Sequence, residues 1–580
     1  MDLTIQMRSI DMLLKLFKHD VGALPAYGYR PQKLPLPEAK APKPLLRCAP
    51  EAAGVKSAAL QRFFEAVNGE QDSIAAHGAM ILRRGKVIAE GAWAPYRLDV
   101  PHMLYSMSKS FLGTAIGIAV DEGILSLDEK LVDIFPDLVT PNHAKLIRSM
   151  TVRHLLTMST GSRFNEMGTL LDGNWQKMFL ESVPKFEPGT AFDYNSLNTY
   201  MLSAVLCRKT GQSVTQYLKP RLFEPLSIER FTWETCPMGI EKGGWGLSLT
   251  MEDAAKLGQL YLNRGMWEGK RIFSEAWAEA ATKKQIDTPK GEMKHGYGYQ
   301  IWVSDAEGGF QFNGAFGQYV IVSPKHDALA VIFSGSANLF AQGTLTEHLH
   351  TLFSSFADDP LPEDHEAEAA LRTYCRSLLF SPSLKGDLAS DAAVFARMAA
   401  YLDHKEYRFR PNAGGILPQT LQSVHGNFTG GADLLRFERR EYGMDVYLYE
   451  GDERNRIAVN ADGSLRYGRI AVRGEWHKTG SRALWKEEDD GFSLALLVSL
   501  TETPNARILY IRVRQSGITV TFDELPELSR VTAMLFELVG ISGLDYLKRL
   551  LGAAQKENLT AALRDFAAPT AQGVPIRLNE

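Results

Sequence analysis

The residues with the most evident chemical use stand in one segment, Leu104-Tyr-Ser-Met-Ser-Lys-Ser-Phe-Leu-Gly-Thr-Ala-Ile-Gly-Ile-Ala-Val120. Ser106 and Lys109 are three apart, which on a helix puts both side chains on one face, a turn apart. The residues that follow are apolar on nearly every side, and Gly113 and Gly117 permit close approach, so the segment reads as a buried helix. A lysine at the head of such a helix is desolvated and lies in the positive end of the helix dipole; both disfavour its ammonium form. A neutral amine beside a serine hydroxyl can act as its general base. The Ser106 backbone N–H, with the same dipole, can face an oxyanion developing on an attacked carbonyl. This is acyl-transfer chemistry. The Ser-x-x-Lys spacing also arises by chance in long chains, so the pair needs context. Ser108 and Ser110 have no lysine three residues on and read as capping or packing residues.

Positioning this helix requires a sheet and further helices. Ala79–Leu82 and Lys86–Ala89 make a hairpin around Arg84-Gly85, and strands return at Gln318–Val322 and Ala328–Phe333 with a turn at Pro324–Asp327. Between them lie helical patterns such as Thr151–Met158 and Met251–Asn263. Strands at both ends with helices between predict an α/β (α+β) unit, one antiparallel sheet built from distant segments and flanked by helices. The prolines of residues 21–50 (Pro25, Pro31, Pro35, Pro37, Pro42, Pro44, Pro50) predict an extended arm. A stretch rich in Asp, Glu and Pro at 358–372 predicts a linker. Beyond 415 come short alternating runs: Leu434–Glu438, Met444–Tyr449, Leu465–Val472, Phe492–Leu500, Ile508–Arg514 and Ile518–Phe522. These predict an all-β sandwich or barrel, followed by a helical tail at 527–566. The expected division is thus an N-terminal extension (1–49), a catalytic unit (50–355), a linker with a helix (356–414) and a C-terminal β-rich domain (415–580).

Composition narrows the function. The 580 residues are 45% hydrophobic and 23% charged, a globular balance, and Lys plus Arg (64) against Asp plus Glu (68) leaves a net charge of −4. No global basic field exists for nucleic acid or an anionic membrane. Four dispersed cysteines read as structural thiols in a reducing compartment rather than a disulfide framework. No secretory signal and no apolar run long enough to span a membrane are evident, and Ile10–Phe17 reads as a short amphipathic helix on the protein's own surface. The cytoplasm is the expected location. His348, His350, Asp364 and His365 superficially suggest a metal cluster, but their spacing spans a linker and surface histidines are expected. No GxSxG, GxxxxGK[ST] or GxGxxG pattern occurs, and neither a metal nor an organic cofactor is expected.

The context for Ser106 comes from six further segments in order: Gly123-Ile-Leu-Ser-Leu-Asp-Glu-Lys-Leu131 with Phe135-Pro-Asp137, Thr151-Val-Arg-His-Leu-Leu-Thr-Met-Ser-Thr-Gly161, Phe186-Glu-Pro-Gly-Thr190, Phe192–Leu202, Gly244–Gly258 with Tyr297-Gly-Tyr-Gln-Ile-Trp302, and Gly314–Pro324. Over about residues 50–355 the chain resembles the β-lactamase-related serine hydrolases: class C β-lactamases, D-alanyl-D-alanine peptidases, D-aminopeptidases, the esterases of that superfamily and 6-aminohexanoate-dimer hydrolase. The resemblance implies a β-lactamase/transpeptidase-like fold, with Ser106 as the acylated nucleophile, Lys109 as its base partner and Tyr194 as the second-motif tyrosine that moves the proton. Two departures stand out. Ser196 occupies the place where β-lactamases and penicillin-binding relatives carry Asn, and Phe312-Asn313-Gly314 replaces their Lys-Thr-Gly. Carboxylate recognition by the third motif is therefore lost, while Ala315 can still donate a backbone N–H to the oxyanion. Ser196, Asn313 and Gly314 are expected beside the substrate, and Tyr105, Asn165, Glu166, Trp175 and Trp302 are candidates for the pocket wall. A literal Lys478-Thr479-Gly480 lies in the β-rich region and reads as a strand-end turn. The expected function is hydrolysis of a small carboxylic ester or amide. A D-aminopeptidase or DD-peptidase, a weak β-lactamase and a non-catalytic ligand- or peptide-binding homologue are the alternatives, and a homo-oligomer stays open.

Overall fold

The computed structural model describes residues 27–33, 43–289, 295–304, 307–339, 341–412, 414–527 and 568–576. Ile10–Phe17 and nearly all of the helical tail expected at 527–566 lie outside the described residues. The N-terminal part is built on strands β1 (Ala76–Arg83), β2 (Lys86–Ala92), β3 (Trp302–Val303), β4 (Phe310–Gly314), β5 (Gln318–Ser323) and β6 (Ala328–Ser334). They form one sheet in the order β2-β1-β6-β5-β4-β3, with β1 antiparallel to β6. Arg84 and Gly85 turn the first hairpin at φ 51° and 72°, the left-handed pair that matches the strands' twist.

Helices α1 (Ser57–Asn68), α2 (Ser108–Asp121), α3 (Ser196–Thr210), α4 (Met251–Leu262), α5 (Thr344–Ser354) and α6 (His365–Ser377) cover the sheet on both faces. Alternation along β1 shows the division. Ala79 and Ile81 join a core with α1, α5 and α6, whereas Met80 and Leu82 join a larger core with α2, α3 and α4. Strands buried on both faces read as continuous apolar runs, which is why Ala76–Leu82 and Ala328–Phe333 show no polar alternation. Helix α2 is buried from Ser108 to Ala119. Its glycines are required by neighbours: a Cβ at Gly117 would lie 2.2 Å from the Trp277 ring, and one at Gly113 3.1 Å from Gln300.

The C-terminal part adds α7 (Ala392–Leu402), α8 (Gln419–His425) and ten strands: β7 (Glu406–Phe409), β8 (Leu434–Arg440), β9 (Gly443–Glu450), β10 (Glu453–Asn460), β11 (Arg466–Val472), β12 (Glu475–Glu488), β13 (Gly491–Leu500), β14 (Ala506–Arg514), β15 (Gly517–Leu525) and β16 (Thr570–Pro575). The order β10-β9-β8-β7-β16-β15-β14-β13-β12-β11 is antiparallel throughout. Of the two expected alternatives, the sheet takes the barrel. Its edge strands β10 and β11 meet through a side chain rather than a ladder: Asn455 Nδ2 donates to Ala471 O (2.9 Å) and Ala471 N donates to Asn455 Oδ1 (2.7 Å). The buried Phe395, Met398 and Leu402 of α7 and Leu421 of α8 complete its apolar core.

Several details differ from expectation. Two helices, α6 and α7, and strand β7 fall within the stretch expected as a linker with one helix, and β7 and β16 are sheet members that the alternation does not reveal because both are short. Lys478-Thr479-Gly480 is not a strand-end turn but lies inside β12, where Trp476 and Lys478 point out and His477 and Thr479 point in. His348 is paired with Glu70 (2.7 Å), while His365 begins α6 beside Glu363, so the four candidate metal ligands are dispersed. All four cysteines are free. Among the described residues, no helix is long and apolar enough to cross a membrane.

The two parts are bound together by buried charge. Glu234 lies between Lys242 Nζ (2.6 Å) and His425 Nδ1 (2.7 Å) of α8. Burial alone would raise its pKa, yet these two partners hold it down at about 2. The arm residue Lys33 crosses to Glu502 and to the Trp476 carbonyl, and Thr235 N donates to Gln32 Oε1 (2.9 Å).

Asn455→Ala strands the Ala471 N–H and C=O in the barrel seam. A loss of about 1–3 kcal/mol of barrel stability is expected, read as a lower denaturant midpoint in tryptophan fluorescence.

Candidate active site

Ser106 lies in a single 3-10 turn, Tyr105–Met107, that runs directly into α2, and Lys109 sits in the first turn of that helix. Ser108 ties the junction together: its Oγ donates to Tyr105 O (2.6 Å) and accepts from Leu247 N (3.2 Å). Ser110 Oγ donates to Gln300 O (2.9 Å). Both serines thus do the packing expected of them. Gln300, itself buried, also donates to Leu155 O and Leu156 O and accepts from Thr199 Oγ1, so it locks α2, α3 and the 152–156 helix into one block.

The Lys109 amine is 2.8 Å from Ser106 Oγ, 2.9 Å from Ser196 Oγ and 2.8 Å from Gly244 O. The carbonyl can only accept. A neutral amine has two N–H bonds and one lone pair, so donating to Gly244 O and Ser196 Oγ leaves the lone pair for the Ser106 hydroxyl proton. Burial lowers the Lys109 pKa to about 7, and the Glu166 carboxylate pulls the other way. An amine tuned near neutrality is suited to accept a proton from serine.

Tyr194 completes the cluster. Its hydroxyl is hydrogen-bonded to Ser106, and Lys109 Nζ lies 4.9 Å from its ring centroid. Burial pushes its pKa well above the ordinary tyrosine range, although the Ser106 hydrogen bond works against the rise. Tyr194 therefore stays a neutral phenol, able to relay a proton but not to serve as a free base. Its ring stacks on Trp302 (centroids 5.6 Å), and Phe192 and Tyr297 close the same aromatic wall.

Three of the remaining expected residues, Ser196, Trp175 and Tyr105, take a different role. Ser196 is buried and its hydroxyl is turned onto Lys109. Trp175 is a core residue, stacked on Trp245 (5.7 Å) with its indole N–H on Thr169 O (3.2 Å). Asn313 and Gly314 end β4, and Ala315 follows in the tight turn to β5. A Cβ at Gly314 would stand 2.0 Å from Leu104 O, so only glycine lets this strand end abut the Ser106 turn. Tyr105 packs edge-on to Phe316 (5.0 Å) rather than lining open space.

Glu166, expected only as pocket wall, takes a further part, and the Gly244 carbonyl had no role assigned from sequence. Glu166 Oε1 accepts the Ser196 N–H at the start of α3 (2.8 Å), which aligns Ser196 with Lys109 and places a carboxylate in the site's field. The Gly244 carbonyl is the third partner of Lys109. A Cβ at Gly244 would lie 2.6 Å from Ser196 O, and the Gly243-Gly244 pair was the available signal for such a close approach.

Among the described residues no group of three His, Cys, Asp or Glu side chains is placed to hold a metal ion. A family model described as beta-lactamase matches residues 60–350, just over half of the chain. The 6-aminohexanoate-dimer hydrolase of Paenarthrobacter ureafaciens is 27% identical over 286 residues, covering 44% of this chain and 71% of that protein. Penicillin-binding protein 4 of Amycolatopsis lactamdurans is 24% identical over 319 residues, covering 48% of this chain and 82% of that protein. A solved family VIII carboxylesterase superposes with a TM-score of 0.44 at 18% identity, covering 54% of this chain and all of that one.

If neutral Lys109 is the working form, kcat/KM rises with pH through an inflection near 7. Glu166→Gln removes the charge that favours the ammonium, so the inflection is expected to move to lower pH. A pH–rate profile that does not shift, or shifts upward, contradicts this electrostatic role.

Proposed function

The chain belongs to the beta-lactamase family of serine hydrolases, and from that premise we propose that it cleaves a small carboxylic ester or amide through an acyl-enzyme on Ser106. The observation that carries the reading is the buried Lys109 amine, held by Ser196 and Gly244 so that its lone pair faces Ser106.

In the first step Ser106 Oγ bonds to the substrate carbonyl carbon as its proton passes to Lys109 Nζ. The carbonyl π pair moves onto oxygen, and the oxyanion is met by the backbone N–H groups of Ser106 and Ala315. Collapse breaks the bond to the leaving alkoxide or amine, which takes a proton delivered from Lys109 through the Tyr194 hydroxyl. Water then attacks the acyl carbon as its proton passes to the Tyr194–Lys109 pair; collapse breaks the bond to Ser106 Oγ, which takes that proton back, and the carboxylic acid departs. All atoms are supplied by substrate, water and the three side chains.

The third motif supports ester or small-amide substrates over carboxylate-bearing ones. Phe312 and Asn313 stand where a lysine and a threonine would hold a substrate carboxylate, and Glu166 adds negative charge to the site.

Incubation with p-nitrophenyl acetate or butyrate is expected to release p-nitrophenol and leave an acyl adduct that maps to Ser106 by intact mass and peptide analysis. Ser106→Ala should abolish the adduct and lower turnover at least about a thousandfold. Nitrocefin and a D-alanyl p-nitroanilide are expected to turn over poorly. Undiminished ester turnover by Ser106→Ala refutes the mechanism, and efficient nitrocefin hydrolysis refutes the assigned substrate class.

A further inference from the structure

The proposed site is not enclosed by the N-terminal part alone. The turn between β13 and β14, Leu500–Asn505, reaches it from the barrel. Glu502 O accepts the Met103 N–H (2.9 Å), Asn505 Oδ1 accepts from Tyr105 Oη (3.4 Å), and Pro504 O abuts Gly335, where a Cβ would lie 2.7 Å away. Met103 leads into the nucleophile turn. Gly335 follows β6, and the next residue, Ser336, donates its N–H to Phe316 O (3.0 Å), a carbonyl that Ser334 Oγ also bonds (3.0 Å). One barrel turn therefore braces both segments that carry the proposed oxyanion donors.

Those segments store strain at matched points. Tyr105, preceding Ser106, and Phe316, following Ala315, have φ of 48° and 66°. Such left-handed conformations are costly for a bulky residue and persist only where the surroundings hold them. The two rings meet edge to face, so each braces the other. Asn505 is fully buried, and its Nδ2 has no hydrogen-bond partner. A stranded amide of this kind is destabilising, a cost that an apolar residue of similar size would avoid. The bond its side chain makes is the one to Tyr105, long for a hydroxyl donor but placed on the residue next to the nucleophile.

We propose that Asn505 of the C-terminal barrel is a positioning residue of the active site, acting through Tyr105 and its ring contact with Phe316 to hold the Ser106 and Ala315 N–H groups at the spacing an oxyanion needs. This rests on the acyl-transfer reading above. It makes the barrel part of the catalytic apparatus rather than an appended module.

Tyr105→Phe, Asn505→Ala and the double variant, all in the full chain, provide the test. Three quantities are read for each: p-nitrophenyl acetate kinetics, inhibition by butylboronic acid, which becomes tetrahedral on serine, and the fraction of protein labelled by a fluorophosphonate. Each single variant is expected to lower kcat about tenfold with KM little changed and to raise the boronate KI in proportion. The double variant should be no worse than the weaker single one, since both cut the same link. The labelled fraction and the pH inflection should match wild type. Unchanged kcat and KI would overturn the proposal, as would additive losses. So would a fall confined to the labelled fraction, which is the mark of mere loosening of the fold. Failure of the wild type itself to label at Ser106 would overturn the acyl-transfer reading, and this proposal with it.

Discussion

The structure depends on keeping one amine dry. Moving an ammonium from water into a protein interior costs several kcal/mol even after relaxation, and Lys109 is almost fully buried. The cost is met in two ways at once. Three oxygens surround Nζ so that no N–H is stranded, and the pKa falls to about 7 so that the charge itself can be given up. Each oxygen comes from a different element: the Ser106 turn, the start of α3, and the Gly243-Gly244 segment. The mutual packing of those elements is therefore a condition for the amine's chemistry.

That packing is close because side chains are missing where backbones meet. Gly314 lets the end of β4 press against Leu104 O, Gly244 lets its own carbonyl reach Lys109 past Ser196, and Gly117 makes room for Trp277 against α2. Gln300 then ties the same elements by hydrogen bonds, its amide group saturated between Leu155 O, Leu156 O and Thr199 Oγ1. A site assembled from such contacts is rigid before substrate arrives, which is the condition for electrostatic stabilisation without reorganisation.

The barrel extends the same logic. Its seam is closed by Asn455 instead of a strand ladder, its contact with the N-terminal part is anchored by Glu234, Lys242 and His425, and its Leu500–Asn505 turn stands against the nucleophile turn. Charged groups at a boundary give little net stability but strict geometry, because a misplaced partner leaves a buried charge unpaired.

The sequence by itself determined that Ser106 and Lys109 share one face at the head of a buried helix, since the pair and the apolar run to Val120 are local in the chain. Local periodicity also determined the hairpin at Arg84-Gly85, the β5–β6 pair and six of the ten barrel strands. Short strands such as β7 and β16 escaped because a few residues carry too little alternation to distinguish them from loop. Lys478-Thr479-Gly480 was misread as a turn because Gly480 interrupts an alternation that neighbouring strands restore. Tertiary structure alone decided that the Gly244 carbonyl and the Ser196 hydroxyl share Lys109, that Glu166 holds Ser196, that Trp175 belongs to the core, and that a turn some four hundred residues downstream touches Tyr105. These are contacts between a backbone group or a short side chain and a distant segment. A sequence shows which groups exist, but only the close packing of elements fixes which of them come within hydrogen-bonding distance.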